Sequence, residues 1–465
     1  MKPGTVQKLL TETNRWWRNP TGWALDDPDL REAAEAPYAY TPGALGDLVV
    51  GGLYVLRGPR RVGKSVEVKR AIANLVGQGI DPRRIVHVSV DGWRAGNLGM
   101  LVDAAAQLTR PDGPRYWFID EITSIDDGWP DRIKRLRDND RRFRSDTVVL
   151  TGSSAANLTA ATKALADRRG RATDPDRVLL PMGFRTFTSL MADDPLPTLD
   201  RVRVRDLAPR LLADVTRELA PWLSELVTAW ETYLQVGGFP RAVSSWLTER
   251  TVDPSLLRGL LDVIHGDAFA GASWSRPQTI AFLQRLADGL GTPANHSAIA
   301  EDIDTSRPTV RRRLADLREA FIVWPAYRQD NLTPNLKAQE KLYFTDPIFA
   351  RLTADGVHDL TLLSEQQLGM ALLRGLEADE PGSYVDFGRV LYHRTPTRTE
   401  IDFVGPPFAG LAFESKYVDG RWRGEARTLQ ASPWRGVIAT RSELNLDDPA
   451  VAALPTAMLA WLIDT

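Results

Sequence analysis

Gly58, Pro59, Arg60, Arg61, Val62, Gly63, Lys64 and Ser65 carry the spacing G-x-x-x-x-G-K-S, and the apolar run Leu53-Tyr54-Val55-Leu56 stands directly before them. A strand ends there, glycines let the backbone curl so that successive N–H groups point inward, and a helix opening near Val66 turns its positive end to the same cavity. Polyphosphate is what such a cavity holds. Lys64 is spaced to reach the β and γ phosphates, and the Ser65 hydroxyl to take one position on Mg²⁺. About 55 residues further on, Tyr116-Trp117-Phe118-Ile119 delivers Asp120 and Glu121 at its C-terminal tip, where open α/β sheets bind their ligands. Asp120 suits Mg²⁺ held through water, and Glu121 suits a general base that polarises the attacking water. A further strand, Val148-Val149-Leu150, ends in Thr151-Gly152-Ser153-Ser154. If it lies between the other two, Ser153 or Ser154 would orient the water or touch the γ-phosphate; such hydroxyls also serve as simple helix caps.

Two further groups of residues could do chemistry or bind. Near the C-terminus Asp402 stands in Thr399-Glu400-Ile401-Asp402-Phe403-Val404, and Glu414 and Lys416 in Gly410-Leu-Ala-Phe-Glu414-Ser415-Lys416. Strand side chains alternate, so Glu414 and Lys416 share a face and could meet Asp402 across a strand pair. Two carboxylates can hold Mg²⁺ and a lysine beside them can orient or deprotonate water that attacks a phosphodiester. Glu365, on an amphipathic helix starting Ser364-Glu-Gln-Gln-Leu-Gly-Met, would complete the metal shell. The same residues also fit a salt-bridged strand pair, or a nuclease-like fold that only binds.

The third group is a helix, a turn and a second helix across 297–323, with Ser306 as N-cap and Pro308 in the first turn of the second helix. Ile299, Ile303, Val310, Leu314 and Leu317 fall inward, while Arg307, Arg311, Arg312 and Arg313 fall largely outward. That is a helix-turn-helix layout, with two strands between Val323 and Phe344 as a wing. Asp304 takes the place of the glycine often found at the turn. DNA is the expected partner, with Arg312 and Arg313 on phosphates and binding that weakens with salt. A protein-binding spacer is the competing reading.

These residues need a scaffold, and the pattern supplies one. Residues 1–45 read as an aromatic-rich helix and strap, with Trp16, Trp17, Trp23 and Tyr38 packing it onto the main domain. Residues 46–192 alternate strands and helices as a parallel sheet does, with strands at Leu53–Leu56, Ile85–Val90, Tyr116–Ile119, Val148–Leu150 and Val178–Leu180. Residues 193–275 space Leu and Ala helically as a lid or connector, 276–350 hold the winged helix, and 351–465 return to mixed α/β. In that last segment the expected strands are Tyr384–Phe387, Ile401–Val404, Leu411–Ser415 and Gly436–Thr440.

Composition narrows the classes. At 465 residues, two to four domains are needed, and 43% apolar with 25% charged residues is the make-up of a globular protein. A net charge of −2 excludes a uniformly basic nucleic-acid binder and leaves room for a local basic patch. The absence of cysteine excludes disulfides, thiolate nucleophiles and zinc-thiolate sites, and five scattered histidines argue against a histidine-rich metal site. No run approaches the length of a membrane span and the N-terminal stretch has no long apolar core, so a cytoplasmic protein without membrane contact is expected.

The phosphate loop, the Asp120-Glu121 pair and the Thr151 strand together resemble the AAA+ ATPases. Leu165-Ala-Asp-Arg-Arg-Gly-Arg, Leu179-Leu-Pro-Met-Gly-Phe-Arg-Thr-Phe and Tyr233-Leu-Gln-Val-Gly-Gly-Phe-Pro-Arg-Ala are similar to segments of a prokaryotic family of AAA ATPases whose C-terminal half is a domain of unknown function. The resemblance implies a P-loop AAA-type sheet domain with a helical lid, ATP and Mg²⁺ as cofactors, and assembly into a homo-oligomer. It also implies an arginine, Arg169 or Arg171, that reaches a neighbouring subunit's γ-phosphate, and a lid arginine, Arg241, that senses nucleotide in its own subunit. The Asp402, Glu414, Lys416 arrangement resembles the PD-(D/E)xK nuclease superfamily, which implies a C-terminal α/β nuclease-like domain.

Overall fold

The computed structural model describes every residue except 1, 111, 126–127, 153–163, 193–195, 208, 270–273, 354–358, 383–387, 396–398 and 421. The chain divides into two compact units, Met1–Leu180 and Pro181–Thr465. The division falls earlier than the boundary at 192 expected from composition.

The first unit opens with helices α1 (Pro3–Thr13) and α2 (Pro28–Glu35). Then come β1 (Leu53–Arg57), α3 (Lys64–Gly77), β2 (Ile85–Ser89), β3 (Tyr116–Asp120), α4 (Trp129–Asn139), β4 (Thr147–Thr151) and β5 (Asp176–Val178). The five strands form one parallel sheet in the order β2-β3-β4-β1-β5. Largely apolar runs form β1 to β4 because helices cover both faces of a parallel sheet, while the edge strand β5, Asp176-Arg177-Val178, is half-buried. Val55, Val86, Trp117, Ile119, Val148 and Leu150 all belong to its core. β5 ends two residues before the expected Leu180. After Val178 the chain leaves the ladder, with the Leu179 N–H on the Arg57 carbonyl at 2.8 Å.

The N-terminal strap is fastened along β2. The Asn14 side-chain amide bonds both backbone groups of His87, accepting from its N–H at 2.7 Å and donating to its carbonyl at 2.9 Å. The indole N–H groups of Trp16 and Trp17 both donate to the Ile85 carbonyl. Asp27 and Asp29 then take the Lys69 ammonium of α3 at 2.8 and 2.7 Å.

The second unit contains α5 (Phe184–Met191), α6 (Leu223–Val236), α7 (Arg276–Asp288), α8 (His296–Asp302) and α9 (Arg307–Glu319). Next come β6 (Val323–Asp330), β7 (Thr333–Pro334), β8 (Lys341–Phe344), α10 (Leu360–Asp379), β9 (Leu391–Arg394), β10 (Glu400–Val404) and β11 (Leu411–Lys416). It closes with α11 (Trp422–Gln430), β12 (Arg435–Thr440), β13 (Val451–Pro455) and α12 (Thr456–Ile463). The eight strands form one sheet, β13-β12-β11-β10-β9-β6-β7, with β8 on β6. β6 pairs in parallel with β9 through Tyr327 and Leu391. The two domains expected on either side of residue 350 therefore share a sheet. The expected strand Tyr384–Phe387 lies outside the described residues.

Candidate functional site

β1 carries the chain into the loop of Gly58 to Gly63 (φ +104), and α3 starts at Lys64. Gly58 is obligatory: a Cβ there would stand 2.0 Å from the Leu179 carbonyl oxygen. Pro59 and Val62 are buried, Arg60, Arg61 and Ser65 are exposed, and Val66 is half-buried on the first turn of α3. The Lys64 ammonium is folded back onto the loop, donating to the Gly58 carbonyl at 2.8 Å and the Pro59 carbonyl at 2.9 Å. Burial pushes it down to about 8, against the pull of Glu121 and Asp120 and with a push from Arg60.

Sheet order brings the rest together. β4 lies between the loop strand β1 and the acid strand β3, so three strand tips converge. The Thr151 hydroxyl on β4 hydrogen-bonds Asp120 Oδ1, and Ser65 Oγ stands 3.4 Å from Asp120 Oδ2. Glu121 adopts φ +55 and ψ +37, a left-handed conformation uncommon outside glycine. Its N–H bonds Asp120 Oδ1 at 3.1 Å and its carbonyl accepts from Ser124 Oγ at 2.8 Å. That kink ends the strand between the two acids: Asp120 stays with Ser65 and Thr151, and Glu121 acts on the Lys64 ammonium more strongly than Asp120 does. The donor set fits the cofactors: a buried cation on a curled loop for polyphosphate, and a hydroxyl beside a carboxylate for Mg²⁺, which takes oxygen ligands. Thr151 was legible only as part of a polar strand end; the geometry singles it out, whereas Ser153 and Ser154 lie outside the described residues.

The candidate arginines separate. Arg169 is buried and paired with Asp176 at 2.6 Å, and its carbonyl accepts the Leu53 N–H at the start of β1. It braces the end of the sheet away from the loop. Arg171 is exposed. Arg241, in the second unit, pairs with Asp253 at 2.9 Å and bonds Ser255 Oγ at 3.2 Å. The Gly237-Gly238 turn before it is a packed junction: a Cβ on Gly237 (φ +76) would stand 2.1 Å from Asp346 Oδ1, and the Gly238 N–H bonds Asp346 Oδ2 at 2.8 Å. Burial raises the Asp346 carboxyl to about 6, opposed by its bonds from the Gly238 and Ile348 N–H groups.

The helix-turn-helix elements fall where their caps put them. Ser306 caps α9 by accepting the Thr309 N–H, and Asp304 makes the turn at φ +49. Arg307, Arg311 and Arg312 are exposed and line a groove of about 1000 Å³ together with Arg318 of the same helix and with Leu336 and Lys337 from the strand side. Arg313 is the exception to the expected outward row. It is buried, pairs with Asp316 at 2.7 Å and lies over the rings of Phe269 and Trp274. Its position is one turn-step toward the core from Arg312, and packing takes it out of any phosphate contact.

The C-terminal acids do meet. Phe403 pairs with Phe413 across β10 and β11, which sets Asp402 opposite Glu414. The Asp402 N–H bonds Glu414 Oε2 at 3.2 Å, and Asp402 Oδ2 accepts the Ser415 N–H at 2.9 Å. Lys416 lies 3.3 Å from Glu414 and 3.5 Å from Glu425. Sequence reasoning missed Lys341 of β8. Its ammonium, 1% exposed, stands 2.8 Å from Asp402, 2.8 Å from Glu400 and 3.2 Å from Glu365, and Tyr343 donates to Glu365 at 2.6 Å. Burial raises Glu414 well above the usual carboxylate range and Glu365 to about 7, with Asp402 adding to both. Among the described residues no three acids or histidines converge so as to hold a metal ion. The metal role expected for Glu365, Asp402 and Glu414 therefore does not fit the residues present, because a buried ammonium occupies the centre of the cluster.

Residues 51–188 match the family model of an AAA domain, and residues 227–355 match a domain of unknown function. With the sheet order, the loop and the acid pair, this defines an AAA-type P-loop ATPase domain. None of the curated proteins matches the chain. Among solved structures, a Walker-type ATPase of Pyrococcus abyssi is 14% identical over 70% of this chain and 93% of its own, with a TM-score of 0.40. The ORC2 protein of Aeropyrum pernix is 11% identical over 75% and 94%, with a TM-score of 0.31. A RuvB mutant of Thermotoga maritima is 14% identical over 63% and 87%, with a TM-score of 0.26. No described helix is long and apolar enough to cross a membrane.

Proposed function

We propose that the protein hydrolyses ATP in its first unit and binds DNA through the arginine face of α9, with nucleotide state controlling the binding. The convergence of Lys64, Ser65, Asp120, Glu121 and Thr151 at three strand tips supports the ATPase reading. Lys64 would leave the loop carbonyls for the β and γ phosphates, Ser65 and Asp120 would hold Mg²⁺, and Thr151 would keep Asp120 aligned. Magnesium, when bound, neutralises charge on the phosphate oxygens. Glu121, set apart by its left-handed kink, would orient and deprotonate the attacking water. Arg171 is the finger candidate in a homo-oligomer, since Arg169 is committed to Asp176.

Arg307, Arg311 and Arg312 beside Lys337 support the DNA reading, because a cationic groove between a capped helix and a two-stranded wing suits duplex phosphates. ATPase assays on Lys64→Ala and Glu121→Gln test the first part: the first variant should lose nucleotide binding, and the second should retain it while hydrolysis falls by about 10²–10⁴. Anisotropy of labelled duplex DNA against salt, with and without ATP, tests the second. Each groove arginine removed should lower the salt slope by about 0.9. ATP-independent DNA affinity would sink the coupling. A regulator without hydrolytic action on DNA is favoured over a nuclease by Lys341 in the acid cluster. The Asp402, Glu414, Lys416 set keeps the nuclease alternative testable. Cutting of linear DNA in Mg²⁺ that disappears in Lys416→Ala would restore it.

A further inference from the structure

The acid cluster of the second unit is built from four elements. Glu365 comes from α10, Glu400 and Asp402 from β10, Glu414 from β11, and Lys341 enters from β8. Lys341 is one residue beyond Glu340, and successive residues of an extended chain face opposite ways. Glu340 accordingly faces the groove, with Arg318 at 2.5 Å and His296 at 3.4 Å, while Lys341 faces the cluster. One short stretch of chain thus carries the groove on one side and the acids on the other.

The cluster holds a cation of its own. Burial alone would push the Lys341 ammonium down, but Asp402, Tyr343, Glu365 and Glu400 hold it well above its usual value, so it stays charged. Asp402 and Glu400 both stand 2.8 Å from this single ammonium, and Glu365 stands 3.2 Å from it. A divalent ion entering between Asp402 and Glu414 would meet that ammonium at short range, and repulsion between like charges at low dielectric is severe.

We propose that Lys341 is a resident cation, standing where a nuclease-like site would carry a divalent metal and locking the wing strand β8 onto β10 and α10. The cluster is a structural lock and a latent metal site. The lock makes no use of DNA contact, so its fate is independent of the groove reading.

The test is Mn²⁺ binding followed by electron paramagnetic resonance, without nucleotide, in an Asp120→Asn background that removes the carboxylate assigned to Mg²⁺ in the first unit. The chain with Lys341 should bind Mn²⁺ no tighter than about 1 mM, the weak end of protein oxygen sites. Lys341→Met, which keeps the volume and removes the charge, should gain one ion per chain at least tenfold tighter and lose it again with Asp402→Asn. Lys341→Arg should remain without the ion. Tight Mn²⁺ binding by the chain with Lys341, abolished by Asp402→Asn, would overturn the proposal, as would a folded Lys341→Met chain that takes up no ion. If Lys341→Met fails to fold, the titrations of the chain with Lys341 and of the Lys341→Arg variant decide alone.

Discussion

The buried Lys64 makes a quantitative demand on nucleotide binding. Its ammonium is lowered to about 8 against the loop carbonyls, and a triphosphate would return it to full charge. Above pH 7.5, where the triphosphate is fully ionised, the binding-competent fraction should follow the lysine. That fraction is roughly three-quarters at pH 7.5 and about 3% at pH 9.5, a fall of roughly 25-fold, or about 2 kcal/mol. Titrating a fluorescent ATP analogue across this range should show the fall. Calorimetry in two buffers of different ionisation enthalpy should show uptake approaching one proton per nucleotide at the alkaline end. The same shift has an opposite effect on folding. The folded pKa lies below the unfolded one, so between about pH 8 and pH 10 the unfolded chain binds the extra proton and folding stability rises with pH, by up to about 3 kcal/mol. Affinity that is flat from pH 7.5 to 9.5, with no proton uptake, would mean that Lys64 stays charged and that its burial against the loop carbonyls has been misread.

Three more outcomes are expected. Gly58→Ala should abolish nucleotide binding while leaving the second unit folded, since a methyl group has no room beside the Leu179 carbonyl; a nucleotide-induced rise in Tm checks it. Arg311→Ala with Arg312→Ala should weaken DNA binding and flatten its salt dependence without lowering Tm. Arg313→Ala should do the reverse, costing about 1–3 kcal/mol through lost packing on Phe269 and Trp274 and a half-buried Asp316 left without its partner, as read by urea unfolding. Asp346, raised by burial to about 6, keeps its proton in the folded state after the unfolded chain has lost it. Stability of the second unit should therefore fall as pH climbs from about 4 to about 6, by up to about 3 kcal/mol, and Asp346→Asn should remove that slope.

What the chain discloses by pattern depends on whether the signal is local. The P-loop, strands β1 to β4 of the first sheet, the Ser306 cap and the Asp304 turn are local: each is a short run whose conformation its own residues dictate. The Asp402 and Glu414 pairing was legible for the same reason, as alternation along two strands. The failures are all long-range. Lys341 lies 61 residues from Asp402, and nothing about a lysine in Glu340-Lys341-Leu342 distinguishes it from a surface residue. Arg313 is inward because Phe269 and Trp274 pack beneath it, a contact no helical period contains. Strand β9 has only four residues, and β13, Val451-Ala-Ala-Leu-Pro455, reads as helix former until its pairing with β12 is seen. The single sheet spanning both C-terminal segments depends on β9 and was hidden with it.

The side chain of Asn14 imitates a strand. By filling one N–H and one carbonyl of His87, while two tryptophans take Ile85, the N-terminal strap closes a border of β2 that would otherwise recruit any passing extended chain. Removing residues 1–20 would leave the nucleotide loop intact in sequence, yet give the first unit a sticky flank. Self-association by strand addition, rather than loss of the catalytic residues, is then how such a shortened chain would fail.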